Sequence, residues 1–151
     1  MVSVSVKVTG DKKVIDRLRK FKVDLEDFSD EMNKLGTYFI RFFSQDVFIT
    51  EGDVFSDRWT RLSANYEFWK RIKYAGRGIL ERTGTLRQGY EMQSSRDYVR
   101  IFNDVPYAKY HQFGTYKLPK RTLMKIDEQR KQYIFELFRQ SVAGKIKSTF
   151  R

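Results

Sequence analysis

The stretch GYEMQSSRDYVRIF, residues 89–102, decides the fold class of this chain. In its second half, Val99 and Ile101 alternate with Tyr98, Arg100 and Phe102, so the two sets point to opposite sides of an extended backbone. Such alternation is typical of a β-strand with one buried face. Because a polar turn separates the two halves, the stretch predicts a pair of antiparallel strands.

The beginning of the chain alternates in the same way. In VSVSVKV, residues 2–8, valine occupies every second position, and serine or lysine lies between the valines. This pattern predicts a strand over residues 1–10. Its terminal position and serine-rich outer face favour the edge of a sheet, in its own subunit or in a neighbouring one.

Residues 11–50 have a helical period instead. Apolar side chains recur at alternating spacings of four and three at Val14, Leu18, Phe21, Leu25, Phe28, Met32, Leu35, Phe39 and Phe42. A coiled coil would show this spacing. The bulky phenylalanines favour one long amphipathic helix or two helices lying on a sheet. A break near residues 22–24 fits Asp24 as the cap of a second helix.

Two more helices are predicted after this region. SANYEFWKRIKYAG, residues 63–76, has Ser63 as its candidate N-cap, and TLMKIDEQRKQYIFELFRQSVAGKI, residues 122–146, has Thr122. The predicted fold is α+β, with a small antiparallel sheet covered on one side by the N-terminal helices. We expect one domain over residues 1–151, divided into an edge strand (1–10), a helical part (11–50), a sheet region that carries the motifs below (55–120) and a C-terminal helix (121–148).

Composition limits the possible classes of protein. The chain has 151 residues, of which 40% are hydrophobic, 16% aromatic and 32% charged, and this balance is typical of a globular domain. It contains no cysteine, which excludes disulfides, thiol nucleophiles and cysteine-ligated zinc. No window resembles a signal peptide or a membrane span. We therefore expect a soluble protein that is made inside the cell and has no membrane partner.

The net charge of +11 is unevenly distributed. Residues 1–53 carry 9 basic and 10 acidic side chains, whereas residues 115–151 carry 10 and 3. This excess fits either a solvated basic face or a surface near nucleic acid or an acidic protein. The candidate contacts with DNA or an acidic partner are Lys117, Lys120, Arg121 and Lys125.

The only histidine, His111, lies in YAKYHQFG, residues 107–114. A metal site there would need carboxylates as its other ligands, and the nearest acid, Asp104, has no recognisable ligand spacing. No nucleophile turn or glycine-rich phosphate loop accompanies the histidine. We therefore predict a protein that is not an enzyme, with no catalytic residue, no metal and no cofactor.

The aromatic side chains around His111 have two possible uses. Tyr107, Tyr110, Phe113 and Tyr116 could stack on single-stranded bases beside lysines, or they could fill a core or a protein interface, which aromatic residues do more often. Our hypothesis is that YAKYHQFG ends a strand and turns at Gly114. In it, Tyr107, His111 and Phe113 hold the turn against the core or a neighbouring subunit.

Four segments in order carry a family resemblance. The matching positions are Trp59 and Leu62 in FSDRWTRLS; Leu80, Thr83, Gly84 and Leu86 in ILERTGTLRQGY; Tyr107, Ala108, His111, Gln112, Phe113 and Gly114 in VRIFNDVPYAKYHQFGT; and Pro119, Arg121 and Leu123 in LPKRTLMKID. Together they resemble the phage virion morphogenesis and tail-completion proteins, a family with Mu-like and P2-like members. The resemblance covers about half of the chain. Lys120 stands where the family has a small residue.

This resemblance implies a structural virion protein of a tailed phage or prophage, assembled in the host cytoplasm. Such proteins lie in the neck or at the end of the tail nearest the head, as connectors or tail terminators. They form a homo-oligomeric ring, usually a hexamer, that contacts tail tube and neck connector proteins. Genomic DNA passing through such a ring would meet its positive charge non-specifically. The alternative function is a non-specific nucleic-acid-binding module.

Overall fold

The computed structural model describes residues 12–149. The predicted edge strand over residues 1–10 lies outside them. The elements, in chain order, are helices α1 (Lys12–Glu26), α2 (Ser29–Arg41), α3 (Val47–Ile49), α4 (Ala64–Lys73) and α5 (Thr85–Gln88), strands β1 (Tyr90–Ser94) and β2 (Val99–Asn103), and helices α6 (Ala108–Phe113) and α7 (Glu128–Thr149). A π-helical turn (Phe42–Asp46) joins α2 to α3, and a 3-10 turn (Asp53–Phe55) follows.

The predicted antiparallel pair is present as β1 and β2, with Met92 opposite Ile101. Helix α2 packs across both strands. Gly36 permits this close approach, since a Cβ at that position would lie 2.3 Å from the sulfur of Met92. The fold is therefore α+β, with a helical cover over the small sheet as predicted.

The core lies where α2, the π-helical turn and α3 pack against buried side chains from residues 55–123. Phe42 and Phe43 are adjacent in sequence, and both are buried. A π-helical turn takes more residues per turn than an α-helix and so changes which side chains face inward. The buried apolar set is Leu35, Phe39, Phe42, Phe43, Val47, Phe48, Phe55, Trp59, Ile79, Leu86, Tyr90, Ala108 and Leu123. This buried set includes at least one residue from each of the four motif segments.

The break between the first two helices was predicted at the wrong place. Asp24 lies inside α1, and the helix ends at Glu26. The carboxylate of Asp27 accepts the backbone N–H of Ser29 at 2.9 Å. The next residue, Phe28, donates its backbone N–H to the carbonyl of Arg96 in the turn between the strands. A tertiary contact therefore helps to set the break.

The C-terminal helix begins at Glu128, not at residue 121. Thr122 does not cap it, because its hydroxyl donates to the carboxylate of Asp57 at 2.6 Å and its carbonyl accepts the indole N–H of Trp59 at 2.9 Å. These bonds hold the segment before the helix in a non-helical conformation. The cap is Asp127, whose Oδ1 accepts the N–H of Arg130 at 3.0 Å.

YAKYHQFG does not end a strand. Residues Ala108–Phe113 form the short helix α6, which begins after β2 has already ended at Asn103. The side chain of Asn103 accepts the N–H of Val105 and donates to the carbonyl of Leu86, which turns the chain away from the sheet. The predicted turn at Gly114 is present, with φ of +75°.

Candidate functional site

A groove with a volume of 550 Å³ lies where the four motif segments meet. Its cationic lining residues are Arg61, Lys70, Arg82, Lys117 and Arg121. Its apolar lining residues are Leu62, Leu80, Leu86, Leu118 and Pro119. Tyr66, Tyr107, His111 and two small hydroxyl residues complete the lining, which includes no aspartate or glutamate. We name this feature the basic groove.

Arg121 is the most constrained cation of the basic groove. Its side chain is 5% exposed. Its Nε and Nη2 donate to the carbonyl of Thr60 at 3.1 and 2.9 Å, and its backbone N–H donates to the carbonyl of His111 at 2.7 Å. Within residues 12–149, no carboxylate forms an ion pair with it. Burial lowers the pKa of its guanidinium, so an anion entering the groove would relieve an unfavourable charge.

Lys70 is a second buried cation, with 4% of its surface exposed. Its ammonium group donates to the carbonyl of Gly78. Burial lowers the pKa of Lys70, and the charges of Glu81 and Glu51 oppose that shift. Two positive charges are therefore held inside the wall of the basic groove by backbone carbonyls.

His111 is half-buried and faces the same groove. Burial lowers the pKa of its imidazole below the usual 6.5, and the charge of Arg121 adds to the effect. The ring is therefore mainly neutral at pH 7. Its Nδ1 is buried and has no hydrogen-bond partner among the described residues. Within that same part of the chain, no cluster of histidine and carboxylate side chains could hold a metal ion.

The side chains of Trp59, which is buried, and Gln112, which is partly buried, fix the wall behind the groove. Trp59 donates its indole N–H to Thr122, and its ring packs edge-on against Phe48 at 5.3 Å. Gln112, on α6, bonds to the backbone of both Leu123 and Met124. The extended segment after Pro119 is therefore held between the Trp59 segment and α6.

The predicted interface residues fall into three groups. Leu62, Leu86, Tyr107, His111, Pro119 and Arg121 line the basic groove. Trp59, Gly84 and Ala108 are buried, and Gly114 is partly buried at its turn. Phe113 is 77% exposed, so it does not pack against the core of its own chain.

The four predicted contacts with DNA or an acidic partner do not form one cluster. Lys117 and Arg121 both line the basic groove. Lys120 is exposed and does not line it, and Lys125 lines a separate depression between α2, β2 and α7. Two of the four predicted residues therefore line the basic groove, which has five cationic lining residues.

Sequence reasoning missed Arg61, Lys70 and Arg82. In the run WKRIK nothing distinguishes Lys70 from Arg71 and Lys73, because all three are basic residues on one helix. Only Lys70 is buried. The sequence does not show which face of α4 turns toward the groove, and that face decides which of the three residues is buried.

The geometry defines an α+β protein in which four ordered motifs build one basic groove. A model of the phage virion morphogenesis family matches residues 9–143. The chain therefore belongs to the phage virion morphogenesis family, which confirms the resemblance and indicates a virion-associated role in morphogenesis. Comparisons with curated proteins and with solved structures found no match. Within the described residues, no helix is long and apolar enough to cross a membrane.

Proposed function

We propose that this protein is a tail-completion or head-tail joining subunit, of the neck or tail-terminator type. It assembles into a homo-oligomeric ring and joins tail tube proteins, neck connector proteins or both. It works by protein contacts and carries out no catalysis. Membership of the virion morphogenesis family supports the general role, and the exposed apolar side chains described next support assembly by contact.

The observation that carries this proposal is a set of exposed apolar side chains on the elements that build the basic groove. Tyr116 is 92% exposed and Phe113 is 77% exposed, both close in sequence to the groove residue Lys117. Tyr66 and Lys70 of α4 line the groove, and Phe68 and Ile72 are exposed on the opposite face of that helix. Exposed apolar surface rimmed by charge is typical of a protein interface.

The chemistry of the groove fits contact better than catalysis. The Nδ1 of His111 has no hydrogen-bond partner among the described residues, so nothing there orients the imidazole through that atom. Lys70 and Arg121 are held on backbone carbonyls rather than beside a reacting group. A general base needs a partner that orients it and a proton within reach. The groove residues instead form an anion-attracting, partly apolar surface.

Quantitative mass spectrometry of purified particles tests the proposal. The copy number of this polypeptide would be compared with that of the tail tube protein. We expect about six copies per particle, as one closed sixfold ring requires. Absence from mature particles would contradict the proposal.

A second candidate function is non-specific nucleic-acid binding. It is favoured by the exposed ring of Tyr116, over which the ammonium of Lys117 lies at 5.2 Å, because such a pair could stack on a base and contact a phosphate. Tight binding of single strands by the monomer, with a steep dependence on salt, would support this candidate. Weak binding that is insensitive to strand length would favour the ring.

A further inference from the structure

The basic groove has an acidic counterpart elsewhere on the same chain. Where α1 meets α2, the sequence DLEDFSDE, residues 24–31, contains five carboxylates and no basic residue. We name this surface the acidic junction. A depression with a volume of 400 Å³ lies there, lined by Val23, Asp24, Asp27, Ser29, Asp30, Glu31, Lys145 and Ser148.

The carboxylates of the acidic junction are only partly neutralised by their own chain. The ammonium of Lys145 donates to the backbone carbonyls of Asp24 and Asp27, not to a carboxylate oxygen. Within residues 12–149, Asp24 and Asp30 form no ion pair, and Asp30 is exposed. The apolar side chain of Val23, at the edge of this depression, is 63% exposed.

A second surface, which we name the rim of the basic groove, consists of Arg82, Tyr116 and Lys117 and carries positive charge. The loop after α6 exposes Tyr116, and the ammonium of Lys117 lies over the ring of that tyrosine. Lys117 and Arg82, both exposed lining residues of the groove, form no ion pair within the described part of the chain. This rim is cationic and aromatic, whereas the acidic junction is a negatively charged depression with an exposed apolar edge.

We propose that the rim of the basic groove, with Tyr116 and Lys117 foremost, docks on the acidic junction of a second copy of this chain. In this arrangement the rim of each copy docks on the junction of the next copy, while its own junction receives the rim of the previous one. Such a head-to-tail contact is the kind that generates rings. The proposal rests on the ring assembly proposed above and names the surfaces that make it. Opposite charges would also set the register of neighbouring subunits.

A nucleic acid fits the basic groove less well than a protein does. Two of its five cations, Lys70 and Arg121, are almost fully buried, which leaves three exposed cations to contact the phosphates of a duplex. The lining also contains five leucine and proline side chains. The acidic junction of another copy, with its exposed apolar edge at Val23, matches both the few exposed cations and the apolar lining.

Charge reversal on each side tests the contact. The rim variant carries Arg82→Glu and Lys117→Glu, and the junction variant carries Asp24→Lys and Asp30→Lys. Sedimentation velocity and native mass spectrometry would follow assembly. We expect each variant to weaken self-association more than about 100-fold relative to the wild type, because like charges then face each other.

An equimolar mixture of the two variants makes the test specific. Each reversed surface then meets its complement on the other variant, and each unchanged surface does the same. We expect rings to form again with alternating subunits, and hence with an even number of copies. Restoration by mixing cannot follow from misfolding of either variant.

Matched controls separate the proposed contact from effects of net charge and of misfolding. Lys131→Glu with Arg139→Glu, on the exposed face of α7, changes the net charge as much as the rim variant does and should leave assembly unchanged. The neutral variants Lys117→Gln and Asp30→Asn should weaken assembly by a smaller factor. Urea denaturation of every variant would show that it folds.

Several outcomes would overturn the inference. If both reversed variants assemble like the wild type, or if folded variants stay monomeric when mixed, the contact lies elsewhere while the ring remains possible. If the rim variant assembles normally but loses salt-dependent DNA binding, the rim serves nucleic acid. A wild-type protein that stays monomeric at every concentration would contradict both the contact and the proposed ring.

Discussion

The side chain of Gln112 forms two hydrogen bonds with the backbone of Met124. Its Nε2 donates to the carbonyl of Met124 at 2.9 Å, and its Oε1 accepts the N–H of Met124 at 2.9 Å. The same oxygen accepts the N–H of Leu123 at 2.8 Å. The amide therefore pairs as a neighbouring strand would, and it ties α6 to the extended segment that places Arg121 in the basic groove.

We expect Gln112→Ala to lower the free energy of unfolding by about 2 kcal/mol or more, because it leaves two N–H groups and a carbonyl unpaired in a partly buried place. Urea denaturation monitored by circular dichroism would measure the change. Gln140→Ala is the control, since Gln140 is an exposed residue of α7 with one bond to Glu136. Equal effects of the two substitutions would show that the pairing adds no stability.

Two glycines with positive φ allow the cost of backbone strain to be measured separately from the cost of a steric conflict. Gly52 has φ of +83°, and a Cβ there would lie 2.6 Å from the carbonyl oxygen of Asp57 and from the ring of Trp59. Gly76 has φ of +75°, with nothing within 4 Å of its Cβ position.

Gly76→Ala should therefore cost only about 1 kcal/mol of strain. Gly52→Ala should cost at least about 2 kcal/mol more, because the backbone of Asp57 or the buried indole must move. Thermal and urea denaturation of both variants would compare them. Similar losses would mean that the contact between Gly52 and Trp59 relaxes at no cost.

His111 allows a direct measurement of the field in the basic groove, since the chain has one histidine. Its pKa, followed by NMR of the imidazole protons, should lie below 6.5, because the ring is half-buried and near Arg121. Arg121→Met should raise that pKa by removing the charge, although burial would still hold it below the usual value. Arg139→Met, on the exposed face of α7, should leave it unchanged.

The same shift predicts how stability depends on pH. The unfolded chain takes up a proton on His111 near pH 6.5, and the folded chain does so only at lower pH. Stability should therefore be fully present above pH 6.5 and should decrease as pH falls toward the folded pKa. His111→Gln should show a shallower decrease between pH 7 and 5.5 by urea denaturation. A wild type and variant with parallel profiles would contradict a lowered pKa.

Local pattern was enough to predict much of the fold. The alternation around Val99 and Ile101 depends only on the two-residue period of an extended chain, and it identified the hairpin. The spacing of apolar residues likewise identified α1 and α2, because one face of a helix must be buried. The four ordered motifs identified the family.

Tertiary structure decided the element ends and the site. Residues Ala108–Phe113 form a helix, and α7 begins only at Glu128. The reason is that Gln112, Trp59 and Asp57 hold the segment between these two helices with hydrogen bonds. The groove cations Arg61, Lys70 and Arg82 carry no sequence signal that sets them apart. Their role depends on which side chains the packing of α4 and the motif turns directs inward, and that depends on the whole core.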